Sequence, residues 1–471
     1  MTIARWMFLA VSALAFGQQY ELVIRGGRVI DPASQIDSVA NIGIRGGKIA
    51  SVTTGPLDGR KYIDATGKVV APGFIDLHAH GQDEENQRYQ VQDGVTTALE
   101  LEIGTLDVDA WYRAREGKRL IHSGVSAGHP PARIRVMKDP STTLVPSGDG
   151  ARRAATAEEI TAMKAHIERG LLDGALGVGF GIQYTPAASR EEVLEMFRLA
   201  ARFDRPAFVH IRHMGAAEPD ALTALQEVIA NAAVTGAPLH VVHITSSGLG
   251  QTPLLLDTIA DARRRGMDIT TECYPYNAAM TELQSAMFDP GWQKVLGISF
   301  DRVEWVATGD RLTEATFPRR REEGGMVIMH MIPDAVVEAA VASPLAMIAS
   351  DGVIEEGKGH PRGAGTFTRV LGRYVREKHV LGLMDAVSKM SYQPAERLGL
   401  SNKGRLAAGA DADIVVFDPD RVSDRATFRE PTLPPVGMET VVVAGTVVVD
   451  SGRLIEGVHP GQAVRGPKRL E

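Results

Sequence analysis

From about Gly73 to Ser350 the sequence alternates short apolar runs with amphipathic stretches, and this alternation restricts the fold more than any other feature. The runs fall at Gly73–Leu77, Thr96–Glu102, Gly124–His129, Ala175–Phe180, Ala207–Ile211, His240–Ile244, Asp268–Tyr274 and Ala346–Ser350. Each has the length of a buried parallel strand. Between several of them lie stretches of helical period, such as AEEITAMKAHIERGLLDG and EEVLEMFRLAARF. Eight strands with intervening helices predict an α/β fold, a (β/α)8 TIM barrel. An open doubly wound sheet is the alternative. It would carry a Gly-rich phosphate loop after an early strand, and no GxGxxG stands there.

The two ends of the chain are built differently. YELVIRGGRVID, NIGIRGGKIASV and KYIDATGKVVAPG are strand-like runs broken by glycine turns, and ADIVVFDP and METVVVAGTVVVDSGRLI repeat the style near the C-terminus. The economical arrangement is one small β-sandwich assembled from both termini, residues 18–71 and 396–471, with the barrel of residues 72–395 inserted between them. Residues 285–344 exceed an ordinary connection between strands and read as an insertion over the barrel mouth.

Residues 1–17, MTIARWMFLAVSALAFG, place Arg5 before an apolar run and end on a small-x-small pattern. That is the form of a secretory signal, so the expectation is export to the periplasm or the medium, with no stable membrane association after cleavage. The single cysteine, Cys273, excludes a disulfide framework and any zinc site needing two thiolates from this chain, and it reads as a packed residue. Acidic residues number 58 against 51 basic ones, and no long basic run stands out, which argues against nucleic acid as a partner.

In a barrel of this kind the reactive residues stand at the C-terminal ends of the strands. Those positions here carry His78 and His80 after the first strand, His210 after the fifth, His243 after the sixth and Asp351 after the eighth. Period-two alternation puts His78 and His80 on one face, where they can share an ion. Four imidazoles and a carboxylate suit Zn²⁺ with water completing the coordination. A metal lowers the pKa of bound water, so the hydrolytic chemistry needs no serine or cysteine nucleophile. Asp351 is both a candidate ligand and a candidate proton shuttle between that water and the leaving group.

With these residues in place the chain resembles the amidohydrolase superfamily, in its branch of N-acyl-D-amino-acid deacylases, the D-aminoacylases. The resemblance rests on PGFIDLHAH, DGVTTALELE, GHPPAR, GALGVGFGIQYTP, FVHIRH, YPY, SDG, HPRGAGTFTRVLGRYVRE and PAERLGLSNKGRLAAGADADIVVFDP. It implies the barrel with its two-ended β domain, one or two zinc ions, and metal ligation at His78, His80, His210, His243 and Asp351. It also implies that Tyr184, Arg212 and Arg362 meet the substrate, a small molecule with a free carboxylate. One departure stands out. The branch places a metal-binding cysteine just after GVTT, where this chain reads ALELEIG. Glu100 and Glu102 share a strand face there, and a carboxylate bridges two cations as a thiolate does. Glu102 is the expected ligand, with Glu100 as its substitute.

The resemblance implies hydrolysis of the amide bond of an N-acyl-D-amino acid. A dipeptidase or another amide hydrolase of the superfamily is the alternative. The fourth strand, GALGVGFG, lacks the lysine on which hydantoinase and dihydroorotase types rely. A catalytically dead secreted binding protein is the alternative from another class, and the complete set of ligand-type residues argues against it. The Thr245-Ser246-Ser247 stretch stands where D-aminoacylases often carry a lysine, which leaves the preferred side chain open.

Overall fold

The computed structural model describes residues 19–467, so the signal expected at residues 1–17 lies outside the described residues. Eight parallel strands form the central sheet: Phe74–Asp76, Val95–Thr105, His122–Gly128, Val178–Gly181, Ala207–His210, Leu239–Val241, Ile269–Cys273 and Ala346–Ile348. They neighbour one another in chain order, which is the order of a barrel. The ring is drawn together between its first and last strands by Asp351 N–H donating to the His78 carbonyl at 2.7 Å and by a bridge between Ala79 and Gly352. All eight apolar runs read from the sequence thus carry barrel strands.

Helices cover the outside of the barrel because one face of each is apolar. Arg190–Arg202 buries Val193, Met196, Phe197 and Ala200, spaced at three and four residues, and leaves its arginines in water. Ala157–Leu172 starts on a reciprocal capping box between Thr156 and Glu159. Both contribute to a single core that also takes in Val125, Val178, Val209 and Val241 from the strands. Among the described residues, no helix is long and apolar enough to cross a membrane.

The chain ends share one nine-stranded sheet. Its seam is the antiparallel pair Val69–Pro72 with Ile414–Phe417, which joins residues more than three hundred positions apart. Leu22, Ile24, Ile42, Val70, Ile414 and Val442 fill a core of its own. The hairpin between Ile36–Arg45 and Lys48–Thr53 turns on Gly46 and Gly47, both at positive φ, the geometry a two-residue turn between twisted strands requires.

Between the seventh and eighth barrel strands the chain builds a four-stranded antiparallel sheet from Ala279–Glu282, Val303–Trp305, Asp310–Arg311 and Met326–Met329. Leu283, Phe288, Trp292, Val303, Phe317 and Val327 form its core. This body starts before residue 285. It also stops before 344, because the helix Asp334–Ala342 buries Val337, Ala340 and Val341 in the barrel core. The additional sheet touches the barrel mouth where Thr281 Oγ donates to the Tyr184 hydroxyl at 3.1 Å.

Candidate metal centre

The C-terminal ends of the barrel strands deliver their polar side chains to one buried cluster. His78 and His80 follow the first strand, and their Nε2 atoms lie 3.2 Å apart. Glu102 reaches in from the second strand, His210 from the end of the fifth, His243 from beyond the sixth and Asp351 from beyond the eighth. The ligand-type atoms of His78, His80, Glu102 and Asp351 all lie within 4.8 Å of one another, and so do those of Glu102, His210 and His243. Glu102 belongs to both groups.

Its two oxygens divide the work. Oε2 lies 3.1 Å from Nε2 of both His78 and His80. Oε1 lies 2.7 Å from Nδ1 of His210 and 3.2 Å from Nε2 of His243. Glu100, two residues further back on the same face, does something else. Its Oε2 sits 2.7 Å from Nδ1 of His80, and its Oε1 accepts the N–H groups of Ile103 and Gly104 at 3.2 Å. Glu100 therefore orients an imidazole, while Glu102 occupies the centre.

The electrostatics match a cation between these groups. Burial alone would push the His78 imidazole down, but Asp351, Glu272 and Glu102 outweigh it and hold it well above the ordinary value. The Glu102 carboxyl, which burial would push up, is held well below the usual range by His78, His210 and His243. Nε2 of His210 is buried with no hydrogen-bond partner. The fit to a metal comes from the convergence of Nε2 of His78, His80 and His243 and Nδ1 of His210 on one shared carboxylate, a donor set that Zn²⁺ takes. The backbone is strained at two of these positions: His243 has φ of 32° and Asp351 of 53°, a left-handed conformation uncommon for residues with a β-carbon.

Sequence reading missed the support behind the cluster. Glu272, inside the seventh barrel strand, places Oε1 2.6 Å from Nδ1 of His78 and Oε2 3.0 Å from Nε2 of His240. Nδ1 of His240 in turn lies 2.7 Å from the Thr270 hydroxyl. Despite full burial, Glu272 is held down at about 2 by these two imidazoles. This is the carboxylate–imidazole arrangement that fixes the tautomer and the ring plane of a ligand. The signal was available, since a glutamate inside an apolar strand, ITTEC, needs a partner.

Of the expected substrate residues, Arg362 and Tyr184 stand at the cluster. Arg362 is 1% exposed and donates from Nη2 to Asp351 Oδ1 at 2.9 Å. Its Nε and Nη1 are buried without partners, and its guanidinium stacks over the Tyr274 ring. The Tyr184 ring packs edge-on to His210, with centroids 5.0 Å apart. Arg212 is a correction. Its Nε and Nη2 fork onto Glu227 at 2.9 and 2.7 Å, and its Nη1 donates to the carbonyls of Pro186 and Ala188. A guanidinium so engaged has no fork left for a substrate carboxylate.

The third barrel strand spells GVSAG over residues 124–128, the letters of a serine-hydrolase elbow. Ser126 is fully buried and its Oγ donates to the Leu101 carbonyl at 2.8 Å, so it is a strand residue and no nucleophile. Cys273 is buried, and burial pushes its thiol up to about 12.

The chain matches the model of the amidohydrolase family over residues 61–127 and 131–449. It is 32% identical to an N-acyl-D-glutamate deacylase of Alcaligenes xylosoxydans xylosoxydans, over 92% of this chain and 94% of that protein. A D-aminoacylase of the same organism is 30% identical, over 95% and 98% of the two chains. Among solved structures, a D-aminoacylase superposes with a TM-score of 0.84 at 29% identity, covering 95% of this chain and all of the other. The N-acyl-D-glutamate deacylase of Bordetella bronchiseptica, in complex with zinc and a phosphonate mimic of the tetrahedral intermediate, gives 0.82 at 30% identity, with the same coverage. With a strand-end cluster of this composition and likeness along nearly its whole length, the chain belongs to the amidohydrolase family.

Proposed function

We propose that the protein is a zinc-dependent hydrolase that cleaves the amide bond of N-acyl-D-amino acids. The observation that carries this reading is the pairing of a Glu102-centred donor set with Arg362, which donates to Asp351 from Nη2 and keeps Nε and Nη1 buried and unspent. His78, His80, Glu102 and Asp351 would hold one ion, and Glu102, His210 and His243 a second. When bound, zinc makes a water nucleophilic near neutral pH and polarises the amide carbonyl.

The residues of the chain supply the rest. Against its burial, the guanidinium of Arg362 and the imidazole of His78 hold Asp351 well below the usual carboxylate range, so it is ionised and ready to accept a proton. It takes that proton from the attacking water and delivers it to the amine nitrogen as the C–N bond breaks, releasing a carboxylate and a free D-amino acid. Arg362, held to Asp351 through Nη2, keeps its Nη1 group to donate to the α-carboxylate of the substrate. Tyr184 accepts from Thr281, which leaves its own proton free to donate, and burial keeps the phenol neutral. The amino-terminal residues 1–17 favour an exported enzyme working in the periplasm or outside the cell.

The test is a panel of N-acyl-D-amino acids, their L-enantiomers and dipeptides with zinc-reconstituted protein. Acidic side chains belong in it, since both an N-acyl-D-glutamate and an N-acyl-D-aspartate deacylase are relatives. The expected result is kcat/KM at least about 100-fold higher for D than for L substrates. Faster cleavage of dipeptides or L-enantiomers would overturn the reading.

A further inference from the structure

Behind His78 a chain of hydrogen bonds runs down the inside of the barrel, away from its mouth. Glu272 is the first link, and beyond it stand His240 and Thr270. Strand register builds the chain. His240 and Thr270 are direct neighbours in the parallel pair of the sixth and seventh strands, and Glu272 follows Thr270 by two residues, on the same face. The seventh strand thus grips the His240 ring at both nitrogens, with Thr270 Oγ 2.7 Å from Nδ1 and Glu272 Oε2 3.0 Å from Nε2. Phe208, its neighbour on the fifth strand, packs on the ring with centroids 5.2 Å apart. His240 and Glu272 are buried. Thr270 is half-buried and lines a cavity of about 460 Å³ where the seventh and eighth strands begin, at the opposite end of the barrel from the metal centre.

The direction of each bond follows from counting protons. A carboxylate only accepts, so both imidazoles donate to Glu272, His78 from Nδ1 and His240 from Nε2. Burial, which outweighs the pull of Glu272, pushes the His240 imidazole below its ordinary value, so the ring is neutral and holds one proton. With that proton on Nε2, Nδ1 carries a lone pair, and the Thr270 hydroxyl donates to it. The other tautomer would set a lone pair of His240 against a carboxylate oxygen at 3.0 Å and take away the donor of that oxygen inside the barrel. The Thr270 proton therefore selects the tautomer. With Oε2 satisfied by His240, Glu272 keeps Oε1 for Nδ1 of His78. A proton held on Nδ1 turns Nε2 of His78 to the cluster, where it lies 3.1 Å from Glu102 and 3.5 Å from Asp351.

We propose that Thr270 and His240 are positioning residues of the metal centre: the threonine hydroxyl fixes the tautomer of His240, His240 fixes Glu272, and Glu272 presents His78 to the ion. A hydroxyl at the far end of the barrel thus sets how tightly the centre holds its metal.

Two measurements test the relay. The first is zinc affinity by competition with a chelator, on Thr270→Val, which keeps the shape and removes the hydroxyl, and on Thr270→Ser, which restores it. Thr270→Val should bind zinc about 5-fold or more weakly with a melting temperature close to that of the wild type, and Thr270→Ser should stay within about 2-fold of the wild type. The second is nitrogen NMR of the wild-type protein with labelled histidine, which reads the tautomer of His240 directly and needs no variant. The expected state is neutral with the proton on Nε2. A folded Thr270→Val with wild-type zinc affinity overturns the relay. So does a loss in Thr270→Ser as large as in Thr270→Val, which would trace the effect to packing, or a wild-type His240 protonated on Nδ1. None of these measurements uses a substrate, so their outcome is separate from that of the deacylase reading.

Discussion

Glu102 and His210 meet at 2.7 Å, Oε1 of the carboxylate against Nδ1 of the ring, while the other carboxylate oxygen faces His78 and His80. One side chain from the second barrel strand thus spans donors from the first, fifth and sixth. Glu102→Gln keeps the volume and removes the charge, so zinc affinity should fall by about 10-fold or more. Activity should return in part with added Zn²⁺, and Glu102→Cys should retain some of it because a thiolate also binds zinc. Metal titration followed by assay checks this. Normal affinity in Glu102→Gln with a loss in Glu100→Gln would move the assignment two residues back.

Glu272 holds His78 from behind, at 2.6 Å. Glu272→Gln should weaken zinc binding by roughly 10- to 100-fold, as the loss of a carboxylate behind an imidazole ligand commonly does. Competition with a chelator measures the effect directly. Unchanged affinity in a folded variant would make Glu272 a packing residue for His240 alone.

Arg362 and Arg212 should separate cleanly. Arg362→Lys loses the planar fork and should lower kcat/KM about 100-fold, with much of the loss in KM. Arg212→Met breaks a buried fork onto Glu227 and should cost about 3 kcal/mol of stability. Denaturant unfolding and steady-state kinetics on both variants check the split. An Arg212 variant that keeps its stability and loses KM would restore the substrate role expected from the motif.

Asp413 ties the two domains together, accepting from Lys403 at 2.6 Å and from the Ala444 N–H at 2.9 Å, with His122 Nε2 also 2.9 Å away. Burial would push its carboxyl up, but His122 and Lys403 outweigh that and hold it below the ordinary 3.8. A carboxyl depressed in the folded state contributes stability that is complete above its unfolded value and is lost as the pH falls through the folded one. Asp413→Asn should therefore cost about 3 kcal/mol at pH 7. The gap between wild type and variant should narrow as the pH drops below about 4. Thermal melts at pH 7, 5 and 3 measure it.

The barrel was legible because period and length are local properties, and the clustering of His78, His80, His210, His243 and Asp351 was legible because a barrel exposes chemistry only at strand ends. The choice between Glu100 and Glu102 was not, since both share a face and only tertiary packing decides which one reaches His210. Arg212 was misread for a related reason. Its partner Glu227 sits on the helix Ala221–Thr235, and nothing in FVHIRH announces a carboxylate fifteen residues away. The extent of the additional sheet was blurred by its short strands, the first of which, Ala279–Glu282, carries only four residues of pattern.

The most direct test is an anomalous difference map at the zinc edge, from crystals of the zinc-loaded protein. The account predicts a peak at coordination distance, about 2.0–2.2 Å, from a Glu102 oxygen, with either His78, His80 and Asp351 or His210 and His243 completing its shell. Zinc bound within the barrel with no contact to Glu102, or found only on the surface, would contradict it.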